Sequence, residues 1–394
     1  MKRVQVIVRA QQSLVLGDGM IGRQNVRRSL DYIPGGIIRG AIAQRILEGF
    51  GTHRTSGRAL NDLPPTLQGD FEKCFLRADG VRFGFLYPGE GETIPAPTTA
   101  LRCRQNSNHL FDTLPHLIRG ERWGMECPCC GGRLERARGY LVRTSNGWQP
   151  VEMPPKRQYV RVGLSRLTET AETAILYVIE AIESPSMHGN EILPQLFSGI
   201  WRFASDEHWE AFMRLMNAIG AHANRLSLRI GSARSRGFGL IDIEWRACEP
   251  TSIAERLKAY QQHLNRPVIT LAAFSPVIVR EAGSTTSALT PDTLRRYLPD
   301  LPNSVQPHEN ATRVECELVS GWSPAWGLPK PLTPAIAPGS IFTFIYDQDD
   351  FDALTQWLQR LEEQGIGERT GEGYGQFTLC PSFPLETPSL SEGR

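Results

Sequence analysis

Polar and apolar residues alternate near the start of the chain, over residues 4–10, and this period of two predicts a β-strand. Apolar residues then recur at helical spacing over residues 37–48 and again over 207–219, which predicts two helices. Strands are predicted at residues 226–230 and 240–245, on either side of a loop rich in glycine and arginine.

The same arrangement returns in the second half of the chain. Residues 268–274 and 340–346 are predicted strands, and residues 350–364 have the amphipathic pattern of a helix. A second glycine-rich loop and a short strand at 376–379 follow. Because each half ends with a helix, a glycine loop and a strand, we expect two related α+β domains.

Domain boundaries follow from these patterns. We place the first domain at residues 1–246 and the second at 266–381, with a helical connector between them. A segment at about residues 95–135 has no regular pattern and is predicted to be an insertion in the first domain. Residues 382–394 are predicted to be a disordered tail.

The composition is that of a globular protein, since 40% of the 394 residues are hydrophobic and 22% are charged. No apolar run approaches the ~20 residues that a membrane span needs. The strand-like start lacks the apolar core of a signal peptide. We therefore expect a cytoplasmic protein with no membrane partner.

Positive charge is concentrated in a few places, although 43 Lys and Arg nearly balance 42 Asp and Glu. The clusters are Arg23-Arg27-Arg28, Arg133-Arg136-Arg138, Lys156-Arg157-Arg161-Arg166 and Arg229-Arg234-Arg236. A local basic groove on a nearly neutral protein suits a subunit that contacts RNA on one face and proteins on others. Any single cluster is equally consistent with solvated surface charge.

Two glycine-rich loops carry candidate RNA contacts. In the first, at residues 231–239, we predict that Arg234, Ser235 and Arg236 contact phosphate and that Phe238 stacks on a base. A tight hairpin with exposed arginines is the alternative interpretation.

The second loop, at residues 365–375, contains Arg369 and Tyr374 as further candidate RNA contacts, and both loops end in Gly-aromatic-Gly before a strand.

These loops, together with Ile33-Pro34-Gly35-Gly36-Ile37-Ile38-Arg39-Gly40-Ala41-Ile42-Ala43, resemble the CRISPR RAMP superfamily. The second half adds Gly321-Trp322, Gly327-Leu328-Pro329-Lys330-Pro331 and Ala335-Ile336-Ala337-Pro338-Gly339-Ser340. These motifs and the cysteine-rich insertion resemble the Cas-five-like subunit of subtype III-D, the Csx-ten family.

The resemblance implies two RRM-like (ferredoxin-like) domains with antiparallel sheets. It also implies a non-catalytic subunit at the foot of an effector complex, which holds the 5′ handle of the crRNA beside the large subunit and the backbone subunits. By position it places Arg39 near RNA. Trp322 is a candidate for base stacking, with a core position as the alternative, and Lys330 is a candidate phosphate contact.

A metal site is predicted in the insertion. Cys127 and Cys130 have the C-x₂-C spacing of a zinc knuckle, and two glycines follow the second cysteine. Cys103 and His109 are the best upstream pair, although His116 competes for the fourth position and Cys129 could replace a neighbour. We therefore predict a structural zinc, with reduced free cysteines as the alternative.

Catalysis is the rival function. Some RAMP proteins are metal-independent endoribonucleases that process precursor crRNA or cut target RNA. Asp31 and His53 stand near the places where such enzymes carry a catalytic residue. A turn carboxylate and an exposed loop histidine are the simpler explanations, and no second acid, base or Lys partner stands at a telling spacing. We therefore expect a binding protein.

Overall fold

The computed structural model describes residues 2–17, 26–50, 59–164, 171–188, 191–249, 252–323 and 328–390 of the chain. It is an α+β protein built largely from antiparallel sheets, as the sequence predicted. In the described part of the chain, no helix is long and apolar enough to cross a membrane.

The described residues of the first half form 17 strands, four α-helices and a connecting α-helix. The strands are β1 (Lys2–Ala10), β2 (Val26–Arg27), β3 (Arg82–Phe83), β4 (Tyr87–Pro88), β5 (Thr93–Pro95), β6 (Ala100–Cys103), β7 (Leu110–Asp112), β8 (Leu134–Arg136), β9 (Tyr140–Thr144), β10 (Gly147–Pro150), β11 (Lys156–Leu164), β12 (Ala171–Ile182), β13 (Ser186–His188), β14 (Glu191–Leu193), β15 (Gln195–Phe203), β16 (Arg225–Arg229) and β17 (Leu240–Ala247). The helices are α1 (Gly35–Gly49), α2 (Pro65–Phe71), α3 (Leu114–Arg119), α4 (Asp206–Ala218) and the connector α5 (Ile253–Leu264).

The main sheet of the first half has the strand order β16-β17-β1-β15-β3, and β4 also pairs with β15. With α1 after β1 and α4 after β15, this is the βαββαβ connectivity of a ferredoxin-like fold. The alternation in β1 places Val4, Val6 and Val8 in the core that α1 and α4 cover. The predicted first strand therefore forms the centre of the sheet.

The second half repeats this connectivity with shorter strands. Its elements are β18 (Val268–Ala273), β19 (Val279–Glu281), β20 (Ser284–Thr286), α6 (Pro291–Tyr297), β21 (Gln306–Pro307), β22 (Cys316–Val319), β23 (Trp322–Ser323), β24 (Leu328–Pro329), β25 (Thr333–Ile336), β26 (Ile341–Ile345), α7 (Phe351–Gln364), β27 (Phe377–Leu379) and α8 (Phe383–Glu386). The sheet order is β21-β26-β18-β27, and Leu354, Trp357 and Leu358 of α7 lie in a second core. The internal repeat inferred from the pattern is present, while the domain boundaries 1–246 and 266–381 stay predictions.

The insertion is more regular than its sequence indicated. Strands β6, β7 and β8 form a three-stranded sheet, and α3 lies between β7 and β8. Each strand has only three or four residues, too few for a sequence pattern to distinguish from a loop.

The predicted disordered tail from residue 382 is wrong for residues 382–390. Phe383 is fully buried beside Trp148, and Leu390 packs against the insertion. Phe383, Leu385 and Leu390 anchor this segment among Pro, Glu, Thr and Ser. A prediction from average composition does not detect such isolated apolar residues. Residues 391–394 lie outside the described part of the chain.

Candidate nucleic-acid interface and metal centre

The two glycine loops have the same backbone conformation, position for position. Each contains one turn of 3₁₀ helix, Arg234–Arg236 in the first loop and Thr370–Glu372 in the second. The matched positive φ angles are 73° and 88° at Gly231 and Gly367, 57° and 61° at Ala233 and Arg369, 86° and 92° at Gly237 and Gly373, and 90° and 69° at Gly239 and Gly375. The similarity between the two glycine-rich loops, which the sequence showed, is therefore a structural repeat.

Both loop aromatics point inward, so Phe238 does not present the stacking face that was predicted for it, and the ring of Tyr374, a candidate RNA contact, is covered as well. Phe238 and Tyr374 are each only 5% exposed. Phe238 packs edge-on against Tyr159, and Tyr374 packs edge-on against Phe85, with ring centres 5.1 Å apart in both pairs. A ring in this position supports the fold and offers no face to RNA.

The second loop is an internal contact between the two halves. The backbone of Gly373 lies so close to the first half that a Cβ there would stand 2.2 Å from the Phe83 carbonyl oxygen. Glu372 accepts a hydrogen bond from Arg369 at 2.8 Å and one from Lys330. Burial alone would raise the pKa of Glu372, but these two cations hold it below its ordinary value.

Three of the predicted RNA contacts therefore have internal partners. Arg369 and Lys330 neutralise Glu372, and the Arg369 guanidinium also lies 4.1 Å from the Tyr374 ring centre. Arg39 donates to the Phe75 carbonyl oxygen, and burial lowers the pKa of its guanidinium, with Glu372 opposing that effect. An RNA phosphate at this place would have to compete with Glu372.

The first loop has the opposite character, because Arg234, Ser235 and Arg236 are all exposed. Arg236 occupies the position at which the second loop has Glu372. Arg234 donates to Gln44 at 2.9 Å, and Arg236 donates to the hydroxyl of Tyr177. One backbone shape thus presents a basic, open surface in the first half and an acidic, covered one in the second.

The β11–β12 hairpin extends this basic surface. The guanidiniums of Arg157 and Arg161 lie 5.7 and 5.8 Å from the ring centre of Tyr159, and β-strand alternation places these three residues on one face. Arg161 pairs in register with Tyr177, the residue that Arg236 contacts. We refer to Arg157, Tyr159, Arg161, Tyr177, Arg234 and Arg236 as the hairpin–loop surface.

Sequence reasoning registered the hairpin's arginines as a cluster but missed its tyrosines. The alternation Arg157-Gln158-Tyr159-Val160-Arg161 in a predicted strand was the available signal. What it could not show is that this strand lies beside the first glycine loop, which follows about seventy residues later.

Trp322 is not the core residue that one interpretation suggested, since it is 56% exposed in the short β23–β24 ribbon. Leu318 and Leu328 nearby are also exposed. Stacking of Trp322 on a base stays a prediction.

Of the two residues considered for catalysis, the described part of the chain contains only Asp31. Asp31 forms an ion pair with Lys156 at 2.5 Å, and Lys156 also donates to the Ser29 carbonyl oxygen at 2.6 Å. His53 lies outside the described residues. Catalysis by Asp31 or His53 stays the alternative prediction.

A buried carboxyl that the sequence did not single out lies in an aromatic cluster between the halves. Burial raises the pKa of Glu317 to about 7, and its Oε1 has no hydrogen-bond partner among the described residues. Burial, and then the charge of Glu317, raises the pKa of Tyr32 well above its ordinary value. Near neutral pH this carboxyl is only partly ionised.

The four residues predicted to bind a metal converge in the insertion. The ligand atoms of Cys103, His109, Cys127 and Cys130 lie within 4.8 Å of one another. The two sulfurs of Cys103 and Cys130 are 3.5 Å apart, and the Cys127 sulfur is 3.4 Å from His109 Nδ1. A tetrahedron with Zn–S near 2.3 Å and Zn–N near 2.0 Å has edges of about 3.5–3.8 Å, which these two separations match, so the donor set can hold a zinc ion.

The alternative ligands are placed elsewhere. His116 Nδ1 lies 3.1 Å from a carboxylate oxygen of Glu121, and Cys129 is exposed and outside the cluster. The knuckle turn is closed by the Gly131 amide, which donates to the Cys127 carbonyl oxygen at 2.8 Å. The cluster can therefore bind a metal ion through three thiolates and one imidazole.

Comparison with known proteins finds similarity only among solved structures: no protein-family model and no curated protein matches the chain. A cryo-EM structure of the Type III-B Cmr-beta complex bound to cognate target RNA contains a chain with 13% identity and a TM-score of 0.41, covering 94% of this chain and 95% of that one. A second, bound to cognate target RNA and AMPPnP, has 13% identity, a TM-score of 0.42 and 86% coverage of both chains. Oligomeric Cmr4 from Pyrococcus furiosus has 12% identity and a TM-score of 0.26, covering 64% of this chain and 100% of that one.

Proposed function

We propose that this chain is a guide-RNA-binding subunit of a CRISPR effector complex and that the hairpin–loop surface is its RNA contact. One observation carries the proposal: two glycine loops share a backbone conformation, yet only the first is exposed and basic. The second is neutralised by Glu372 and covered by the first half. The first loop is therefore the one available to a phosphate backbone.

The chemistry of this surface suits single-stranded RNA. Arg161, Arg234 and Arg236 can each neutralise a phosphate, which releases condensed counterions and supplies affinity. Arg157 can do the same in exchange for its exposed ion pair with Glu183, at 3.5 Å. Tyr159 and Tyr177 lie among these guanidiniums and are only partly buried. Unpaired bases stack on tyrosine rings, whereas bases within a duplex do not reach them.

The narrower assignment is a subunit of a type III-D complex that holds the 5′ handle of the crRNA and contacts the large and backbone subunits. Its support is the sequence resemblance to the Csx-ten family. Purification of the tagged chain with its complex from cells that express a guide array, followed by sequencing of the bound RNA, tests this assignment. We expect reads that begin with one common handle; reads without a shared 5′ end would refute it.

The role is proposed to be non-catalytic, because Asp31 is held in an ion pair with Lys156. Endoribonuclease activity is the alternative. Incubation of the purified protein with labelled precursor RNA, first in EDTA and then in magnesium, separates the two. A specific product that is lost on Asp31→Ala or His53→Ala would establish the enzyme instead.

We also propose that the Cys103, His109, Cys127 and Cys130 cluster holds a structural zinc. Its support is the donor set and the separations, which fit a closed tetrahedral site without a position for water. Elemental analysis of the purified protein should give one zinc per chain.

A further inference from the structure

The proposed metal joins two separate pieces of the insertion. Cys103 ends β6 and His109 precedes β7, whereas Cys127 and Cys130 lie in the loop between α3 and β8. The sheet that these pieces form has strands of only three or four residues. So small a sheet has little stability of its own, and metal binding would supply folding free energy directly.

Helix α3 carries the insertion into the core of the second half. Leu114 and Ile118 are fully buried there among side chains of α5 and β18. Arg266 donates to the Ile118 carbonyl oxygen at 3.0 Å, and Arg119 donates to the His263 carbonyl oxygen at 3.0 Å. The insertion belongs to the first half by sequence and completes the second half by packing.

The chain's last described segment is held by the same module. Leu390, 5% exposed, packs in one cluster with Cys103 and Cys127, two of the proposed ligands. Earlier in the segment, Glu386 accepts from the indole nitrogen of Trp148 at 2.8 Å, and Phe383 packs edge-on against that indole.

We infer that the metal centre is a clamp: its occupancy locks α3 and residues 382–390 onto the body of the protein, and loss of the metal releases both. The inference rests on the proposed zinc site but goes beyond it, because a zinc that organised only its own loop would leave the two segments protected. It follows from the placement of Leu390 against the ligand residues and of α3 between the ligand pairs.

A matched pair of variants tests the clamp, since the neighbouring residues Cys129 and Cys130 are both exposed and only Cys130 belongs to the cluster. Cys130→Ser should lose zinc and increase amide exchange in residues 114–119 and 382–390 by about tenfold or more, while α4 stays protected. Cys129→Ser should match the original protein in both readouts. If zinc is lost and the two segments stay protected, the clamp is wrong and the zinc site stands; if the original protein binds no zinc, both fail.

Linkage provides a second test that does not depend on the folding of a ligand variant. If the metal stabilises the docking of Leu390, then Leu390 must stabilise the metal by the same factor. Leu390→Asp should therefore weaken the affinity for zinc by about tenfold, measured at equilibrium by competition with a chelator. An unchanged zinc affinity in this variant would overturn the clamp.

Discussion

Replacing Arg234 and Arg236 together by alanine should weaken binding of single-stranded RNA and make the remaining binding less dependent on salt. Each phosphate contact on a single strand contributes about 0.7 to the slope of log K against log salt, so the slope should fall by about 1.4. At physiological salt the same counterion term predicts about 15-fold weaker binding. Both side chains are exposed and make only surface hydrogen bonds to Gln44 and Tyr177, so folding should be nearly unaffected.

The assay is fluorescence anisotropy with a labelled RNA that carries the guide's 5′ end, measured over a range of salt concentrations. Arg296→Ala with Arg360→Ala is a matched control, because it removes the same charge from exposed side chains of the second half. An unchanged slope in the Arg234 and Arg236 variant would show that these arginines do not contact phosphate. An equal loss of affinity in the control would show that the effect is one of net charge and not of this surface.

Three further predictions concern the supporting structure. Gly375→Ala should lower the free energy of unfolding by about 3 kcal/mol in chemical denaturation, because φ is 69° and the new Cβ would stand 1.8 Å from a carbonyl oxygen. Gly371→Ala is the control and should change little, since nothing lies within 4 Å of its Cβ position. Equal effects of the two substitutions would contradict the loop geometry. Phe238→Ala should lower the free energy of unfolding by about 3 kcal/mol, because the Phe238 ring is buried, whereas replacement of the exposed Trp322 by alanine should lower it by less than about 0.5 kcal/mol. The reverse order would contradict the burial of Phe238 and the exposure of Trp322. Because burial raises the folded pKa of Glu317 to about 7, the free energy of unfolding should fall as pH rises from about 5 to 8, by at most about 3 kcal/mol from this group. Glu317→Gln should make this fall with pH smaller. If the free energy of unfolding of the variant depends on pH as that of the original protein does, the burial of Glu317 is contradicted.

The glycine loops show what the sequence could and could not predict. Their spacing, their flanking strands and the repeat itself were visible, because glycine and alternation are local signals. The inward direction of the Phe238 and Tyr374 rings could not be predicted from the sequence. It depends on the positive φ angles of neighbouring loop residues, which are determined only in the folded chain. The pairing of Lys330 with Glu372 joins residues far apart in sequence, so the prediction treated Lys330 as free.

The metal cluster was predicted more completely because its information is mostly local. The spacing of Cys127 and Cys130 defined the knuckle, and the structure brings Cys103 and His109 to it, as predicted. The choice against His116 could not be made from the sequence, because it depends on Glu121 lying beside that ring. The docking of Leu390 gave no signal at all, since one apolar residue in a polar segment has no period.

UV crosslinking of the assembled, guide-loaded complex, with mass-spectrometric mapping of the RNA-bound peptides, shows whether the hairpin–loop surface binds the guide. We expect crosslinks to the 5′ end of the guide from Tyr159, Tyr177 and residues 231–239, and none from residues 365–375. Crosslinks confined to the second glycine loop, or an absence of crosslinks from the first loop and the hairpin, would contradict it.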